Sequence, residues 1–278
     1  MAFRADGKRV KKADPMYTVV PYIMDKRNDA MNMITVDVPV EPIQNYLNAK
    51  RKEGIRISHM AVIMAAYLRT FNDFPLLNNF IVNKKIYTQN EFRGAMVVLN
   101  NLATQEETMS KVQFEFDDNI FDVNDKMNAY VEENRKATSV NNTDKMIKFL
   151  LSVPGLVNFG VGLFKLLDRY GLLPRFVTDL SPFHSSLTLT NLASIRTNHI
   201  YHHIYNFGTT SVFIAMGKNR EVPKTRNGEV VLEKCIPLGV VMDERICSGI
   251  YFAAAFRKFS TYLDNPALLE QKPEKKEK

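Results

Sequence analysis

Alternation of apolar and polar residues predicts the strands of this chain. Residues 34–38 alternate apolar and polar side chains, which is the period of a half-buried strand. Asn227 and Gly228 predict a two-residue hairpin turn between the segments on either side. Apolar runs bounded by polar residues predict further strands at residues 80–87, 92–99, 111–116, 209–216 and 236–242.

Apolar residues at helical spacing predict helices between these strands. Pro42 occupies the first turn of one helix, and Ser58 and Asp122 are suitable N-caps for two more. The helix at residues 60–71 is apolar almost all round, so we expect it to be buried and His59 to be structural or on the surface. This mixture of strands and helices predicts an α+β fold with a mostly non-local sheet.

Residues 144–170 are unusually rich in apolar side chains, and Pro154-Gly155 divides them into two predicted helices. We expect this helix pair to pack on the sheet or on a neighbouring subunit. A lid over an acyl chain and a hairpin at a membrane surface are the alternatives. The uncharged run at residues 149–164 is shorter than the ~20 residues that span a bilayer, so no stable membrane span is expected.

The chain has 278 residues, of which 45% are hydrophobic, so it can bury one large core. We expect one domain over residues 17–269, between a basic N-terminal arm at residues 1–16 and a charged tail at residues 270–278. The net charge is +7, but no nucleic-acid recognition motif accompanies it, so no nucleic-acid partner is expected. A coenzyme that carries phosphates would benefit from the same positive field.

Cysteine and histidine usage excludes two classes of site. The two cysteines, Cys235 and Cys247, are too few for a disulfide framework or a zinc site. Free thiols and the lack of an apolar signal segment predict a cytoplasmic protein. His199, His202 and His203 lie close together in the sequence, but no further ligands are suitably spaced, so no metal is expected.

The strongest candidate for chemistry is the corner between the strand at residues 236–242 and a C-terminal helix with apolar residues at helical spacing. Residues 243–249 of this corner are Asp-Glu-Arg-Ile-Cys-Ser-Gly. The segment resembles the C-terminal signature Asp-His-Arg-x-x-Asp-Gly of the dihydrolipoamide acyltransferase and chloramphenicol acetyltransferase superfamily. Glu244 stands at the position of the histidine, and Ser248 stands at the position of the second aspartate.

A second segment, residues 180–192, resembles the strand of the same superfamily in which a hydroxyl group faces the reacting carbonyl. In the dihydrolipoamide acyltransferases this strand contains Thr-Phe-Thr-Ile-Ser-Asn. Thr190 falls on the serine and Asn191 on the asparagine. The Pro-x-Leu-Asn corner that begins at Pro75 is also similar to these enzymes.

The resemblance covers roughly residues 17–269 and implies the two-layer chloramphenicol acetyltransferase-like sandwich, with a mixed sheet and helices on one face. It implies a homotrimer with each active site at a subunit interface. It also implies coenzyme A or acyl-coenzyme A as substrate, and a small-molecule acyl acceptor or thioester as the other reactant.

In the family a histidine accepts a proton and a serine stabilises the oxyanion, which gives the catalytic positions to Glu244 and Thr190. The other corner positions are then structural: Asp243, Arg245, Ser248 and Gly249. Further residues are candidates for substrate or coenzyme contacts: Asn191, His184, His202, His203 and Cys247.

Replacement of the histidine leaves two hypotheses. Glutamate has an ordinary pKa near 4.3 and is a weaker base than histidine, with a pKa near 6.5, toward a thiol near 8.5. In the first hypothesis the chain is an acyltransferase that uses Glu244, or a histidine of residues 199–203, as its base, with Cys247 as an alternative nucleophile. In the second it is a catalytically degenerate trimeric binding or scaffold protein of the same fold.

Overall fold

The computed structural model describes residues 4–101, 106–136, 152 and 154–273. The strands within these residues are β1 Gly7–Arg9, β2 Met31–Pro39, β3 Asn79–Val82, β4 Lys85–Gln89, β5 Phe92–Asn101, β6 Glu106–Phe114, β7 Leu187–Asn191, β8 Val212–Met216, β9 Arg220–Arg226 and β10 Glu229–Asp243. The α-helices with both ends within them are α1 Pro15–Ile23, α2 Val40–Lys52, α3 His59–Asp73, α4 Ile120–Lys136, α5 Leu156–Tyr170, α6 Arg175–Leu180 and α7 Gly249–Asp264.

The main sheet has the strand order β2-β10-β8-β7-β5-β6, and β9 pairs with the first part of β10 as a hairpin. β7 runs parallel to both β5 and β8, whereas the other neighbours are antiparallel. The sheet is therefore mixed. A smaller antiparallel sheet has the order β1-β4-β3.

One face of the main sheet packs against helices. Leu187 and Leu189 of β7 and Val240 and Met242 of β10 are buried in one hydrophobic cluster with apolar residues of α2, α3, α4 and α7. The intervening residues of these strands point to the other face, because successive side chains of a strand alternate. The predicted architecture, a mixed sheet with helices on one face, is confirmed.

The loop at residues 198–208 covers part of the opposite face. Ile204 of this loop packs against Phe213 and Val241 of the sheet. A Cβ atom added to Gly239 would lie 2.3 Å from the carbonyl oxygen of Ile200. Only glycine therefore allows the loop to approach β10 this closely.

Two predicted strands have different bounds in the structure. The single strand predicted at residues 80–87 is the hairpin of β3 and β4, because Asn83 and Lys84 adopt positive φ angles of 48° and 59° and reverse the chain. Of residues 180–192, only Leu187–Asn191 form a strand, and Leu180 is the last residue of α6.

The predicted helix at Asp122 begins earlier than expected. Asn119 is its capping side chain, since the Asn119 Oδ1 atom accepts hydrogen bonds from the backbone amides of Phe121 and Asp122. The Asp122 carboxylate accepts one in return from the backbone amide of Asn119. Reciprocal bonds of this kind satisfy amides that have no partner inside the helix.

The proposed helix pair at residues 144–170 is described only in part. Residues 144–151 lie outside the described residues, and α5 follows Gly155, which has a positive φ of 81°. None of the described helices is both long enough and apolar enough to cross a membrane. The predicted basic arm also includes structured residues, because β1 pairs with β4 and Arg4 is buried.

Candidate functional site

The corner between β10 and α7 is built on a buried ion pair. Asp243 is fully buried, and its Oδ1 and Oδ2 atoms accept hydrogen bonds from Nε and Nη2 of Arg245, both at 2.8 Å. The Asp243 Oδ1 atom also accepts the backbone N–H of Arg245 at 3.2 Å. Asp243 and Arg245 are therefore paired with each other. This pair fixes the short turn that carries Glu244.

Arg27 is a third member of this corner that the sequence did not indicate. Its Nε atom donates to the Asp243 Oδ2 atom at 3.3 Å, and its other N–H groups donate to the carbonyl oxygens of Tyr205, Phe207, Gly208 and Ile81. Burial lowers the pKa of the Arg27 guanidinium below its ordinary value, and the negative charge of Asp243 opposes that shift. The hydrogen bonds of Arg27 therefore hold the loop at residues 198–208 against the corner.

Glu244 is partly exposed, and its carboxylate forms no hydrogen bond or ion pair with any residue that the structure describes. Ser248 instead has a structural role, because its Oγ atom accepts a hydrogen bond from the backbone N–H of Tyr251 at 3.1 Å and caps α7. Gly249 is exposed and is the first residue of that helix. The corner thus presents one carboxylate that has no structural role of its own.

Cys247 lies in the hydrophobic core beneath the corner and is 1% exposed. Burial raises the pKa of its thiol well above the ordinary value, and the charge of Asp243 adds to this shift. The thiolate is the nucleophilic form of cysteine. This placement disfavours Cys247 both as a nucleophile and as a substrate contact.

Thr190 is buried on β7 and faces away from the helices, since its neighbour Leu189 faces them. In the sheet Thr190 is opposite Ala215, which is opposite Gly239. Glu244 follows Gly239 by five positions along the chain. At ~4.8 Å between strands and ~3.3 Å per residue, the Cα atoms of Thr190 and Glu244 are roughly 19 Å apart. One chain therefore does not bring these two residues together.

Asn191, the next residue after Thr190, lies at a cavity of about 690 Å³ between the helices and the sheet. Its Oδ1 atom accepts the backbone N–H of Ser194 at 3.2 Å. His59, at the start of α3, also lines the cavity, and burial lowers its pKa below the ordinary value. The volume is typical of small-molecule sites. The sequence predicted that His59 is structural or on the surface, and it did not indicate that His59 lines a cavity.

The loop histidines lie on the sheet face opposite the helices. The His202 ring stacks on Phe213 with 4.2 Å between centroids, and His203 contacts the ring of Tyr205. The Nε2 atom of His199 lies 3.1 Å from the Oγ1 atom of Thr35. Burial lowers the pKa of His199, and the charge of Arg220 adds to the shift. These contacts hold the loop on the sheet.

His184 belongs to a separate buried cluster. Its Nε2 atom lies 3.2 Å from Oδ1 of Asp168, and its Nδ1 atom lies 2.8 Å from Oγ of Ser181. Burial raises the pKa of the Asp168 carboxyl, but the hydrogen bond to His184 and the charge of Arg4 outweigh it and hold the pKa below its ordinary value. His184 is 2% exposed, which leaves it no surface for a coenzyme.

The donor atoms of Asp6, Asp168 and His184 lie within 4.8 Å of one another, as in a metal site. Arg4 already supplies the positive charge there, since its guanidinium donates to both carboxylates, at 2.8 Å to Asp6 and 2.6 Å to Asp168. The arrangement is that of an internal ion-pair network.

The corner and β7 both lie in the part of the chain that matches a known protein family. Residues 182–270 match the family model described as 2-oxoacid dehydrogenases acyltransferase (catalytic domain). The predicted resemblance to this family is confirmed. A segment of 85 residues is 31% identical to the dihydrolipoyllysine-residue acetyltransferase component of the acetoin cleaving system of Bacillus subtilis (strain 168). That segment is 31% of this chain and 21% of the relative's length.

Solved structures of 2-oxoacid dehydrogenase acyltransferases and their relatives share the fold. A dihydrolipoamide acetyltransferase of Azotobacter vinelandii, studied for the roles of a serine, a histidine and an asparagine in its catalytic mechanism, matches with a TM-score of 0.60 and 10% identity. The match covers 94% of both chains. A chloramphenicol acetyltransferase matches with a TM-score of 0.55 and 12% identity over 92% of this chain and 99% of that one.

Proposed function

We propose that this chain is a coenzyme A-dependent acyltransferase whose active site forms between two copies. The observation that carries the proposal is the Glu244 carboxylate, which the buried pair of Asp243 and Arg245 presents and which has no partner among the residues that the structure describes. In the Azotobacter enzyme the histidine and the asparagine under study are four positions apart. Glu244 and Ser248 have the same spacing.

The proposed reaction transfers an acyl group from a coenzyme A thioester to a thiol or hydroxyl acceptor. The acceptor loses its proton to the Glu244 carboxylate as its sulfur or oxygen attacks the thioester carbonyl carbon. The oxyanion of the tetrahedral intermediate accepts a hydrogen bond from the Thr190 hydroxyl of a neighbouring copy. The carbon–sulfur bond then breaks, and the coenzyme A thiolate takes the proton from Glu244.

The large cavity beside Asn191 supports this proposal. Its lining includes apolar side chains, among them Met60, Met96 and Met127, and polar ones such as Ser58 and His59. The lining has nearly as many polar as apolar side chains, which suits an arm whose alkyl segments are joined by amide groups and that ends in a thioester. We propose that the pantetheine arm or the acyl chain enters here and passes the end of β7 at Asn191, so that the thioester reaches Thr190 on the opposite face.

Exposed apolar side chains support assembly into a homotrimer. Met33 and Ile34 lie on β2, an edge strand of the main sheet, and Val230 and Leu232 protrude from the hairpin of β9 and β10. Val230 and Leu232 are 73% and 66% exposed. Apolar groups on a sheet edge favour a contact with another chain. We propose that this contact places Glu244 of one copy near Thr190 of the next.

The second candidate, a binding or scaffold protein without turnover, is favoured by the absence of the family's histidine from the corner. Two measurements distinguish the acyltransferase from the scaffold protein. One is the release of thiol from acetyl-coenzyme A and longer thioesters, and the other is coenzyme binding by calorimetry. Glu244→Gln keeps the shape but cannot accept a proton, so we expect a fall in turnover of about 10²- to 10⁴-fold with binding retained. Glu229→Gln, an exposed glutamate of the hairpin, is the matched control. Binding without thiol release by the parent would favour the scaffold.

A further inference from the structure

α5 carries apolar side chains on two sides. Phe164, on the inner side, packs against the rings of His184 and Phe207. The outer side exposes Phe159, Leu163, Leu166 and Tyr170, at spacings of four, three and four residues that place them on one stripe. The segment that follows continues this surface with Leu172, Phe176 and Leu180, which are 51%, 67% and 74% exposed.

α1 presents a second exposed apolar surface, and the turn between β3 and β4 connects it to α5. Tyr22 and Ile23 at the end of α1 are 61% and 74% exposed. The Nζ atom of Lys84 lies 5.0 Å from the centroid of the Tyr22 ring. On the other side of the turn, the Nε atom of Arg169 in α5 donates to Asn83 Oδ1 at 3.2 Å. The two apolar surfaces are therefore neighbours.

A cavity of about 270 Å³ opens between these helices, and five basic and two acidic residues line it. Two of the basic residues, Arg27 and Arg245, share the single negative charge of Asp243. The remaining cations are Lys84, Lys165 and Arg169, and none of them forms an ion pair with any residue that the structure describes.

Of the two acidic residues, Asp168 shares the positive charge of Arg4 with Asp6, and Asp25 is the other. The cavity mouth thus holds an excess of positive charge. A phosphate group would relieve the repulsion between these cations.

We propose that this surface docks on a bilayer that contains anionic phospholipid. The exposed side chains of α1, α5 and α6 would enter the boundary between headgroups and acyl chains, as amphipathic helices do at membrane surfaces. Lys84, Lys165 and Arg169 would bind a lipid phosphate at the cavity mouth. Apolar surfaces on both sides of a cationic cavity match a lipid, which joins a phosphate to acyl chains. This proposal does not depend on acyl transfer.

Flotation of the full chain with vesicles tests the proposal. We expect binding to vesicles of phosphatidylcholine mixed with phosphatidylglycerol, and much weaker binding to phosphatidylcholine alone. Combined replacement of Lys84, Lys165 and Arg169 by alanine should weaken binding roughly 100-fold, because each basic residue near an anionic surface contributes about a factor of five. Leu166→Ser with Phe176→Ser should weaken it at least tenfold by removing exposed apolar area.

Two matched controls distinguish this surface from general charge and hydrophobicity. In the first control, alanine replaces Lys52, Lys234 and Lys258 together, which removes the same net charge elsewhere. In the second control, Ile55→Ser with Leu268→Ser removes exposed apolar side chains that lie outside the residues of the proposed contact between copies. Both should bind like the parent. Circular dichroism and oligomeric state are measured on every sample.

Several outcomes would overturn the proposal. The proposal is wrong if the protein does not bind anionic vesicles, or if the control variants lose as much vesicle binding as the variants of this surface. It is also wrong if the protein binds soluble glycerol phosphate but not vesicles. A change of oligomeric state in Leu166→Ser with Phe176→Ser, with vesicle binding unchanged, would assign the surface to a contact between copies instead.

Discussion

Replacement of Asp243 by asparagine should destabilise the protein strongly. Asp243 is fully buried, and it is the carboxylate that pairs with both Arg27 and Arg245, each 2% exposed. Asparagine keeps the shape of the side chain but removes the negative charge. Both guanidiniums then stay buried without a counter-charge.

The expected loss follows from the burial of the pair. Breaking a buried ion pair by removing one partner destabilises a protein by about 3–5 kcal/mol. Because Asp243 pairs with two arginines, we expect a loss of stability in the upper part of this range. For a chain of this length the loss corresponds to a melting temperature lower by about 7–9 °C.

Asp37→Asn is the matched control. Asp37 accepts two hydrogen bonds from Arg220, at 3.0 and 2.9 Å, in nearly the same geometry as the pair of Asp243 and Arg245. The Arg220 side chain is 44% exposed, and an exposed pair contributes only ~0–1 kcal/mol. The two variants therefore differ in burial and in the number of arginines that lose their counter-charge.

The free energy of unfolding of both variants is measured in urea. Far-ultraviolet circular dichroism follows the unfolding, because the chain contains no tryptophan. Protein concentration is held constant, since assembly of copies adds to apparent stability. Equal losses in Asp243→Asn and Asp37→Asn, or a loss below about 1 kcal/mol in the first, would refute the reasoning.

Two further predictions concern titration and helix capping. Burial lowers the pKa of Lys111 to about 7, and the charge of Arg93 adds to the shift. The unfolded chain therefore holds a proton that the folded protein lacks above pH 7, so stability should rise from about pH 7 to 10. Lys111→Met should flatten this rise in urea midpoints, and an unchanged slope would contradict it. Ser248→Ala should cost ~1 kcal/mol through loss of the cap, whereas Ser248→Asp should not; equal midpoints for the two would argue against the cap.

Local sequence patterns predicted the corner because its parts are neighbours in the chain. The apolar run of β10, the polar residues that follow and the spacing of α7 lie within about 35 residues, and Asp243 and Arg245 are two positions apart. The hairpin at Asn227 and Gly228 was predictable for the same reason, since both residues adopt the positive φ angles that such turns require.

Features that depend on distant residues could not be predicted. Arg27 reaches Asp243 across 216 positions, and Arg4 reaches Asp168 across 164. No local spacing marks either arginine as buried. The turn at Asn83 and Lys84 escaped prediction because lysine rarely adopts a positive φ, so the apolar residues around it suggested one continuous strand.

The proposed division of the active site between two copies has the most direct test. Glu244→Gln and Thr190→Ala are each expected to lower thiol release from an acyl-coenzyme A. The two inactive variants are then unfolded, mixed in equal amounts and refolded together. If Glu244 and Thr190 act from different copies, random assembly restores about a quarter of the parent's activity, because that share of sites receives both intact residues. If they act within one chain, or if neither takes part in catalysis, the mixture shows only the average of the two variants, and that result would contradict the account.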